Sequence, residues 1–205
     1  MLANLCRQLN DDDVSVVVID TGYDPPLTSL HEDDNIEVIR DDAQPPNISR
    51  WWNLGLDAIH QVQQWIDEEY VVAILNDDLV IQPKFVQRLA EAIKRYGAAA
   101  AYPDQHGFGV DKNHTFAGPI PLYWRMTGYA FALRGSAGIR ADETLQWWYG
   151  DDDIDWTARQ RGGSVLVGGV VVTHLSPNAS TVGKLAEQAG RDRQTFIDKW
   201  GRAPW

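Results

Sequence analysis

The chain has 205 residues, which suits one domain and allows a sizeable core without disulfide bonds. Its net charge of −11 disfavours a general nucleic-acid-binding protein, and its single cysteine, Cys6, excludes an intramolecular disulfide and favours a reducing compartment. No stretch approaches the roughly 18 apolar residues of a membrane span, and the N-terminus lacks the pattern of a signal peptide. We therefore expect a single cytoplasmic domain.

The first half of the chain alternates strand and helix patterns. The patterns predict, in chain order, a helix at 2–9, strands at 14–20 and 35–40, a helix at 48–69, a strand at 70–75, a helix at 83–96 and a strand at 98–102. The runs at 14–20 and 70–75 are apolar without interruption, which is typical of strands covered on both faces. Strands that alternate with helices predict a parallel α/β sheet.

The second half is less regular. Its patterns predict a loop or excursion at 104–122, a strand at 127–135, a helix at 150–162, one or two strands within 164–176 that end at His174, and helical structure at 178–200. The helix at 150–162 carries acidic residues in its first turn, where their negative charge interacts favourably with the positive end of the helix dipole. No repeat or linker divides the chain.

Polar residues stand at the predicted carboxyl ends of several strands. Asp20 ends the first strand, Asp77 and Asp78 follow the strand at 70–75, and His174 ends the last strand. Ligands of open α/β sheets bind at this edge, and adjacent carboxylates repel one another unless solvent or a cation relieves them. A carboxylate with an imidazole suits a divalent metal of the manganese type, with diphosphate oxygens in the remaining positions. A polar turn without a ligand is the alternative for the acidic pair, as packing or capping is for the histidine.

The segment VVVIDTG at 16–22 raises two further hypotheses. An Asp-Thr-Gly sequence is found in aspartic proteases, which need two such carboxylates to share one proton, and the chain has no second copy. A phosphatase with an aspartate nucleophile at residue 20 would want a second aspartate at residue 22, where this chain has Gly22. Both hypotheses are therefore disfavoured.

Several segments together resemble the GT-A-fold glycosyltransferases of the large inverting family two, in particular their rhamnosyltransferase-like branch. In chain order these segments are VSVVVIDTGYD, NISRWWNLGLDAI, VVAILNDDLVIQPKFVQRL, GYAFALRGS, WYGDDDIDWTARQRGG and VVVTHLSPNAST. The resemblance runs from about residue 2 to residue 181. The third segment resembles the Asp-x-Asp strand of the family and is the most specific, although it reads Asn-Asp-Asp.

The resemblance implies an α/β fold of the GT-A type: a three-layer α/β/α sandwich with a mostly parallel central sheet. A single glycosyltransferase domain would occupy 1–205, with a nucleotide-binding half at about 1–100, an acceptor half at about 101–180 and a C-terminal helix at about 181–205. Members of the family open with a strand ahead of the first helix. Because this sequence begins within that helix, we expect the first strand to be absent.

The resemblance also implies roles for individual residues. Asp78 would be the metal ligand and His174 the second ligand, with Mn²⁺ or Mg²⁺ as the cation. The residues that would contact the nucleotide or the donor sugar are Asp20, Thr21, Asp41, Asp42, Arg50, Asn53, Asn76 and Asp77. The donor would be a UDP-, dTDP- or GDP-sugar, and the acceptor would be a glycan, a lipid or a protein.

In the acidic helix the resemblance aligns Asp152 with a glutamate, Asp153 with the aspartate after it and Asp155 with the last acid of the motif. Asp153 would be the general base, with Asp152 beside it, because an acceptor hydroxyl that attacks the anomeric carbon needs a carboxylate to take its proton. The departing diphosphate needs a cation to hold its developing charge. Trp148 and Tyr149 would line the acceptor side together with Asp155. A simple helix start for the acids and core packing for the aromatic residues are the alternatives.

Two functions follow from this reasoning. The first is a metal-dependent inverting glycosyltransferase that uses a nucleotide sugar. The second is a GT-A-like domain that binds a sugar or a partner without turnover, which the expected absence of the first strand favours.

Overall fold

The structure is a computed structural model that describes residues 5, 8–9, 14–27, 36–63, 69–176 and 182–205. The strands of these residues are β1 (Val16–Asp20), β2 (Ile36–Arg40), β3 (Val71–Leu75), β4 (Leu79–Ile81), β5 (Ala100–Pro103), β6 (Lys112–His114), β7 (Ala130–Arg134), β8 (Ser164–Val167) and β9 (Val172–His174). The helices are α1 (Ile48–Gln63), α2 (Phe85–Tyr96), α3 (Gly150–Gln160) and α4 (Lys184–Trp200). Of the helix predicted at 2–9, the described residues are helical, and the remainder lies outside the described part.

The central sheet has five strands in the order β3-β7-β5-β8-β6. β3, β5 and β8 run in one direction, and β7 and β6 run antiparallel to their neighbours. Helix α2 packs against β5, β7 and β8, while α3 packs against β5 and β8. Helices therefore cover the sheet, and the predicted three-layer α/β/α class is confirmed. The sheet was predicted to be mostly parallel, but it is mixed, and β5–β8 is its one parallel pair among the described residues.

Strict alternation along the central strands explains the unbroken apolar runs in the sequence. In β7, Ala130 and Ala132 belong to one core cluster with the buried residues of α2, whereas Phe131 and Leu133 belong to a second cluster with residues of α1 and α3. In β8, Leu166 likewise faces the second cluster. Successive side chains of a strand point to opposite faces, so a strand between two helical layers must be apolar at every position.

β1 and β2 form a separate parallel pair in which Val16 lies opposite Ile36 and Asp20 lies opposite Arg40. Among the described residues, β1 is paired with β2 only and β3 is paired with β7 only. Helix α1 contacts both β1 and β3 and so joins the two sheets. The loop after β1 is thereby brought to the edge of the central sheet where β3 ends.

Two short strands were not predicted separately. β4 follows the acidic turn directly and pairs antiparallel with β9, so that Leu79 lies opposite His174. β6 lies inside the segment predicted as a loop at 104–122 and pairs with β8. Each has three residues, too few for a period of two to be recognised, and each is held by a partner far away in the sequence.

Helix α4 packs against α3 and the loop before it through aromatic contacts and one buried carboxylate. Phe196 and Trp200 contact Trp156 of α3 in edge-to-face arrangements, with ring centroids 5.1 and 5.3 Å apart. Asp192 is fully buried and accepts hydrogen bonds from the backbone N–H groups of residues 146–148 at 2.8–3.2 Å. The C-terminal helix therefore holds the loop that leads into α3.

His114 in β6 is half-buried beside two cations. Burial lowers the pKa of His114 to about 4, and the positive charges of Arg159 and Lys112 act in the same direction. The folded chain therefore favours the neutral imidazole, whereas a histidine of the unfolded chain titrates near 6.5. The contribution of His114 to the free energy of unfolding is complete above that value and is lost as the pH falls towards about 4.

We expect the unfolding free energy of the wild type to fall more steeply than that of His114→Gln as the pH decreases from about 6.5 to about 4. Urea unfolding at a series of pH values measures both slopes. His106→Gln, in an exposed position of the preceding loop, is the control and should keep the wild-type slope. Parallel pH profiles for the wild type and His114→Gln would contradict this account.

Candidate active site

Asp78 and His174 meet where β4 and β9 pair. Asp78 immediately precedes β4, His174 ends β9, and the backbone N–H of Leu175 donates a hydrogen bond of 3.0 Å to the carbonyl oxygen of Asp78. This register places Nε2 of His174 3.1 Å from Oδ1 of Asp78. The ring of Tyr129 stacks on the imidazole, with centroids 4.6 Å apart, and so fixes its plane.

The two side chains offer donors that suit a divalent cation. Oδ1 of Asp78 is buried and forms no hydrogen bond with the described residues, although Nε2 of His174 lies 3.1 Å from it. A buried oxygen without a hydrogen bond carries a free-energy cost that a bound cation would remove. One carboxylate oxygen and one imidazole nitrogen form a donor set that Mn²⁺ accepts. In the described part of the chain, no group of three or more His, Cys, Asp or Glu side chains is placed to hold a metal, so further ligands would come from the substrate.

The acidic turn is tied to the loop after β1. The hydroxyl of Tyr23 donates a hydrogen bond of 3.0 Å to Oδ2 of Asp77, and this bond raises the pKa of Tyr23. Asn76 is exposed, and its backbone N–H donates to the carbonyl oxygen of Tyr129 at 2.9 Å. The predicted donor-side residues Asn76 and Asp77 thus lie beside Asp78, between the β1 loop and the ring that stacks on His174.

Asp20 organises the loop that follows β1. Its carboxylate is 1% exposed and accepts hydrogen bonds from the backbone N–H groups of Gly22, Tyr23 and Leu27 at 2.8–3.2 Å. Nη1 of Arg40 adds a fourth contact at 3.0 Å. Burial opposes ionisation, but the hydrogen bonds and Arg40 outweigh it and lower the pKa of Asp20. Its oxygens are fully engaged within the protein, whereas the adjacent residue 21 is exposed.

Two arginines hold the acids at the end of β2. Nε and Nη2 of Arg50 bind Oδ2 of Asp41 at 2.9 and 2.8 Å. Nε and Nη2 of Arg40 bind Oδ2 of Asp42 at 3.2 and 3.1 Å, on a more exposed surface. Among the residues predicted to contact the nucleotide, Asp42 and Arg50 therefore belong to ion pairs at the rim of the β1–β2 sheet.

Asn53 faces the protein interior. Its side chain is buried, and its amide pairs with both the N–H and the carbonyl of Ala141 at 3.0 Å. Nδ2 also donates to the carboxylate of Glu143 at 2.8 Å. These bonds use both ends of the amide, so Asn53 fastens α1 to the loop ahead of α3.

Asp151 and Asp152 open α3 and turn towards the segment that precedes β7. Oδ2 of Asp151 accepts a hydrogen bond from the backbone N–H of Gly128 at 2.9 Å. A Cβ at residue 128 would lie 3.2 Å from the ring of Trp52, so a larger residue there would need this ring to shift. Asp152 is buried and binds Nε and Nη2 of Arg125 in a two-point contact at 2.9 and 2.7 Å. Burial raises the pKa of Asp152 well above its usual range; the charge of Asp151 adds to this shift, and Arg125 opposes it.

Asp153 turns in a third direction, towards α4. Its carboxylate is 1% exposed and accepts hydrogen bonds from Nε1 of Trp200 at 2.7 Å and Nζ of Lys199 at 3.0 Å. Lys199 also bridges to Asp142 at 2.9 Å. Of the three consecutive acids, Asp151 is the one that is partly exposed.

The three residues predicted on the acceptor side lie in or next to the core. Tyr149 is buried and stacks on Trp205, with ring centroids 5.7 Å apart. Asp155 is fully buried and forms an ion pair with Arg159 one helical turn later. Trp148 is half-buried and packs against the cluster that contains Tyr149. The sequence did not indicate roles for Tyr129, Tyr23 or Arg125. Each is an isolated aromatic or basic residue, and its contact with His174, Asp77 or Asp152 arises only in the folded chain.

Comparison with known proteins places this arrangement in a class. The structure of S. aureus TarS residues 1–349 matches with a TM-score of 0.61 at 13% identity, over 98% of this chain and 68% of that chain. The structure of GalNAc-T7 with UDP, GalNAc and Mn²⁺ matches with a TM-score of 0.58 at 14% identity, over 92% of this chain and 43% of that chain. The chain thus spans less than half of GalNAc-T7. These matches define a GT-A fold, as predicted.

The chain belongs to glycosyl transferase family 2, whose sequence profile it matches over residues 1–144. The predicted family is thus confirmed, and the rhamnosyltransferase-like branch stays a prediction. A comparison with curated protein sequences gives no significant match. In the described ranges, no helix combines the length and apolar character required to cross a bilayer.

Proposed function

We propose that the chain transfers a sugar, with inversion, from a nucleoside-diphosphate sugar to an acceptor hydroxyl, and that the transfer depends on a divalent cation. The observation that carries this proposal is the unpartnered, buried Oδ1 of Asp78 at 3.1 Å from Nε2 of His174. Similar folds support it, because GalNAc-T7 was crystallised with UDP, GalNAc and Mn²⁺, and TarS residues 1–349 with UDP.

Asp78 and His174 would hold Mn²⁺ or Mg²⁺, which supplies charge stabilisation to a departing diphosphate. The protein positions these two ligands with its own groups. Tyr129 fixes the plane of the imidazole, and the Leu79–His174 register fixes the distance between the ligands. Tyr23 keeps Asp77 and the β1 loop beside them. We infer that the loop with Thr21, together with Asp42 and Arg50, borders the nucleotide, and that Asp20 and Asn53 act by positioning neighbouring backbone.

Asp153 is the proposed general base, beside Asp152, which holds Arg125. An acceptor hydroxyl needs the base carboxylate within hydrogen-bond reach, so Lys199 or Trp200 must release Asp153 when the acceptor binds. Asp151 is the second candidate because it is partly exposed and burial raises its pKa, towards the range in which a general base works at neutral pH.

The second candidate function is a GT-A-like domain that binds a sugar or a partner without turnover. One observation favours it: both carboxylate oxygens of Asp153 are engaged by donors from α4. Under this function a nucleotide or sugar still binds, but no bond to the sugar is broken. A hydrolysis panel of nucleotide sugars with Mn²⁺ separates the two, since many transferases cleave the donor slowly when water replaces the acceptor.

Nucleotide binding is tested by thermal unfolding with UDP, dTDP and GDP, each with and without Mn²⁺. A ligand at about 100 times its Kd stabilises the folded state by about 2.7 kcal/mol, which corresponds to a rise in Tm of roughly 5–10 °C for a domain of this size. We expect one nucleotide to give such a rise only when Mn²⁺ is present. Mn²⁺ alone is the control. Absence of a rise for every nucleotide would contradict the proposed function.

A further inference from the structure

An open groove of about 540 Å³ is lined by aromatic and apolar side chains on the acceptor half. Its lining residues, which we call the aromatic groove, are Phe108, Val110, Lys112, Tyr123 and Trp124. Phe108 and Tyr123 are each 44% exposed, and Val110 is 53% exposed. Apolar surface collected in a concave site, rather than scattered singly, marks a place where a ligand or partner is bound.

The rings of the groove are held in place by one another. The centroids of Phe108 and Tyr123 are 5.5 Å apart, and Tyr123 meets Trp124 edge to face at 5.2 Å and 79°. The hydroxyl of Tyr102 donates to the carbonyl oxygen of Trp124 at 2.6 Å and fixes the backbone beneath them. The groove is thus a preformed platform of tilted rings, which binds a ligand at a lower entropy cost than mobile side chains would.

A cation without an acidic partner stands in the groove. Nζ of Lys112 lies 3.1 Å from the centroid of the Trp124 ring, and Lys112 forms no salt bridge within the described residues. The neighbouring Asp111 is occupied by Arg95 and by the hydroxyl of Tyr96. The lining of the groove carries one charge, which is positive, so the groove favours anionic over cationic ligands even though the whole chain has a net charge of −11.

Two chain segments link the groove to the candidate active site. The segment from Trp124 to Tyr129 starts in the groove, contacts α3 through Arg125 and Gly128, and ends at the ring stacked on His174. Its five residue steps span at most about 17 Å even when fully extended. A second segment makes the same connection, because Gln105 bonds to the hydroxyl of Tyr129 while Phe108 lines the groove.

We propose that the aromatic groove binds the acceptor, and that this acceptor is a saccharide that carries an anionic group. The naming of the ligand as an acceptor rests on the proposed function. A sugar presents an apolar C–H face that stacks on aromatic rings, and a carboxylate, sulfate or phosphate on it pairs with the ammonium of Lys112. The hydroxyl of Tyr123 has no hydrogen-bond partner among the described residues and can bond a sugar hydroxyl.

Binding is tested on the whole chain without donor or metal, by tryptophan fluorescence, because Trp124 lies in the groove. The probes are oligogalacturonate, a heparin oligosaccharide and a phosphorylated mannan oligosaccharide, with maltohexaose as the neutral oligosaccharide and hexaglutamate as the acidic peptide. We expect saturable binding of at least one acidic saccharide and at least tenfold weaker binding of maltohexaose and of hexaglutamate. If hexaglutamate binds as tightly as the acidic saccharides, the ligand need not be a saccharide, and that part of the proposal is overturned. If maltohexaose binds as tightly, the requirement for an anionic group is overturned. If no acidic saccharide binds, the whole proposal is overturned.

Variants locate the binding in the groove. Tyr123→Ala should weaken the binding of the acidic saccharide by about tenfold. Lys112→Met should abolish the preference for acidic over neutral saccharides. Phe116→Ala, at an exposed aromatic residue that does not line the groove, and Lys94→Met, at an exposed lysine of α2, are the matched controls. If Tyr123→Ala weakens saccharide binding no more than the control variants do, the ligand binds outside the aromatic groove. Failure of the proposed function appears instead as absent nucleotide stabilisation and absent donor cleavage, in assays that contain no acceptor.

Discussion

Asp78→Asn is expected to lower sugar transfer by about a thousandfold. The change removes the negative charge from the ligand that we assign to the cation, and a cation that stabilises a departing diphosphate contributes several kcal/mol, where each 1.36 kcal/mol is a factor of ten in rate. The same change should leave the Tm of the free protein equal or higher, because it removes the charge of a buried carboxylate whose Oδ1 has no hydrogen-bond partner in the described structure. Initial rates with a series of Mn²⁺ concentrations and thermal unfolding measure the two effects.

The proposed histidine ligand gives an independent check of the same site. His174→Ala should raise the Mn²⁺ concentration for half-maximal transfer by at least tenfold, since it removes one of the two protein ligands that we propose. Asp77→Asn is the matched comparison, one residue from Asp78 with the same chemical change. The carboxylate of Asp77 accepts a hydrogen bond from the hydroxyl of Tyr23, so we expect Asp77→Asn to alter nucleotide affinity and to keep the Mn²⁺ dependence. An unchanged Mn²⁺ titration for His174→Ala would remove His174 from the metal site.

Asp153→Asn is expected to reduce transfer by about 10²- to 10⁴-fold, the usual contribution of a general base, with nucleotide-dependent stabilisation retained. The variant keeps an oxygen that can accept the indole N–H of Trp200, but it loses the ion pair with Lys199. Lys199→Met is the structural control, because it breaks that ion pair and leaves the carboxylate in place. We expect Lys199→Met to lower the Tm while most of the transfer activity remains.

Asp151→Asn completes this comparison. If Asp153→Asn transfers sugar at a rate near that of the wild type while Asp151→Asn does not, the base is Asp151, the partly exposed member of the acidic run. A pH profile separates a base from a positioning residue, because loss of the base removes the acidic limb of the rate profile. If both variants keep full activity, neither acid is the base.

The order and type of most elements could be predicted from the sequence, and the reason is visible in the core. Phe131 and Leu133 face one helical layer and Ala130 and Ala132 the other, so β7 had to be apolar throughout. β4 could not be predicted in this way. Its three residues are stabilised by pairing with β9, and Leu79 meets His174 across 95 positions of sequence, a separation that no local pattern reports.

The candidate site also has features that the sequence predicts and features that only long-range packing decides. The sequence by itself determined that acids and a histidine stand at strand ends, and that three consecutive aspartates open a helix. Consecutive residues of an α-helix point about 100° apart, so Asp151, Asp152 and Asp153 had to face three directions. Only the tertiary structure decided what lies in each direction: the backbone before β7, the guanidinium of Arg125, and the end of α4. Those neighbours come from segments distant in the chain, and packing alone brings them together.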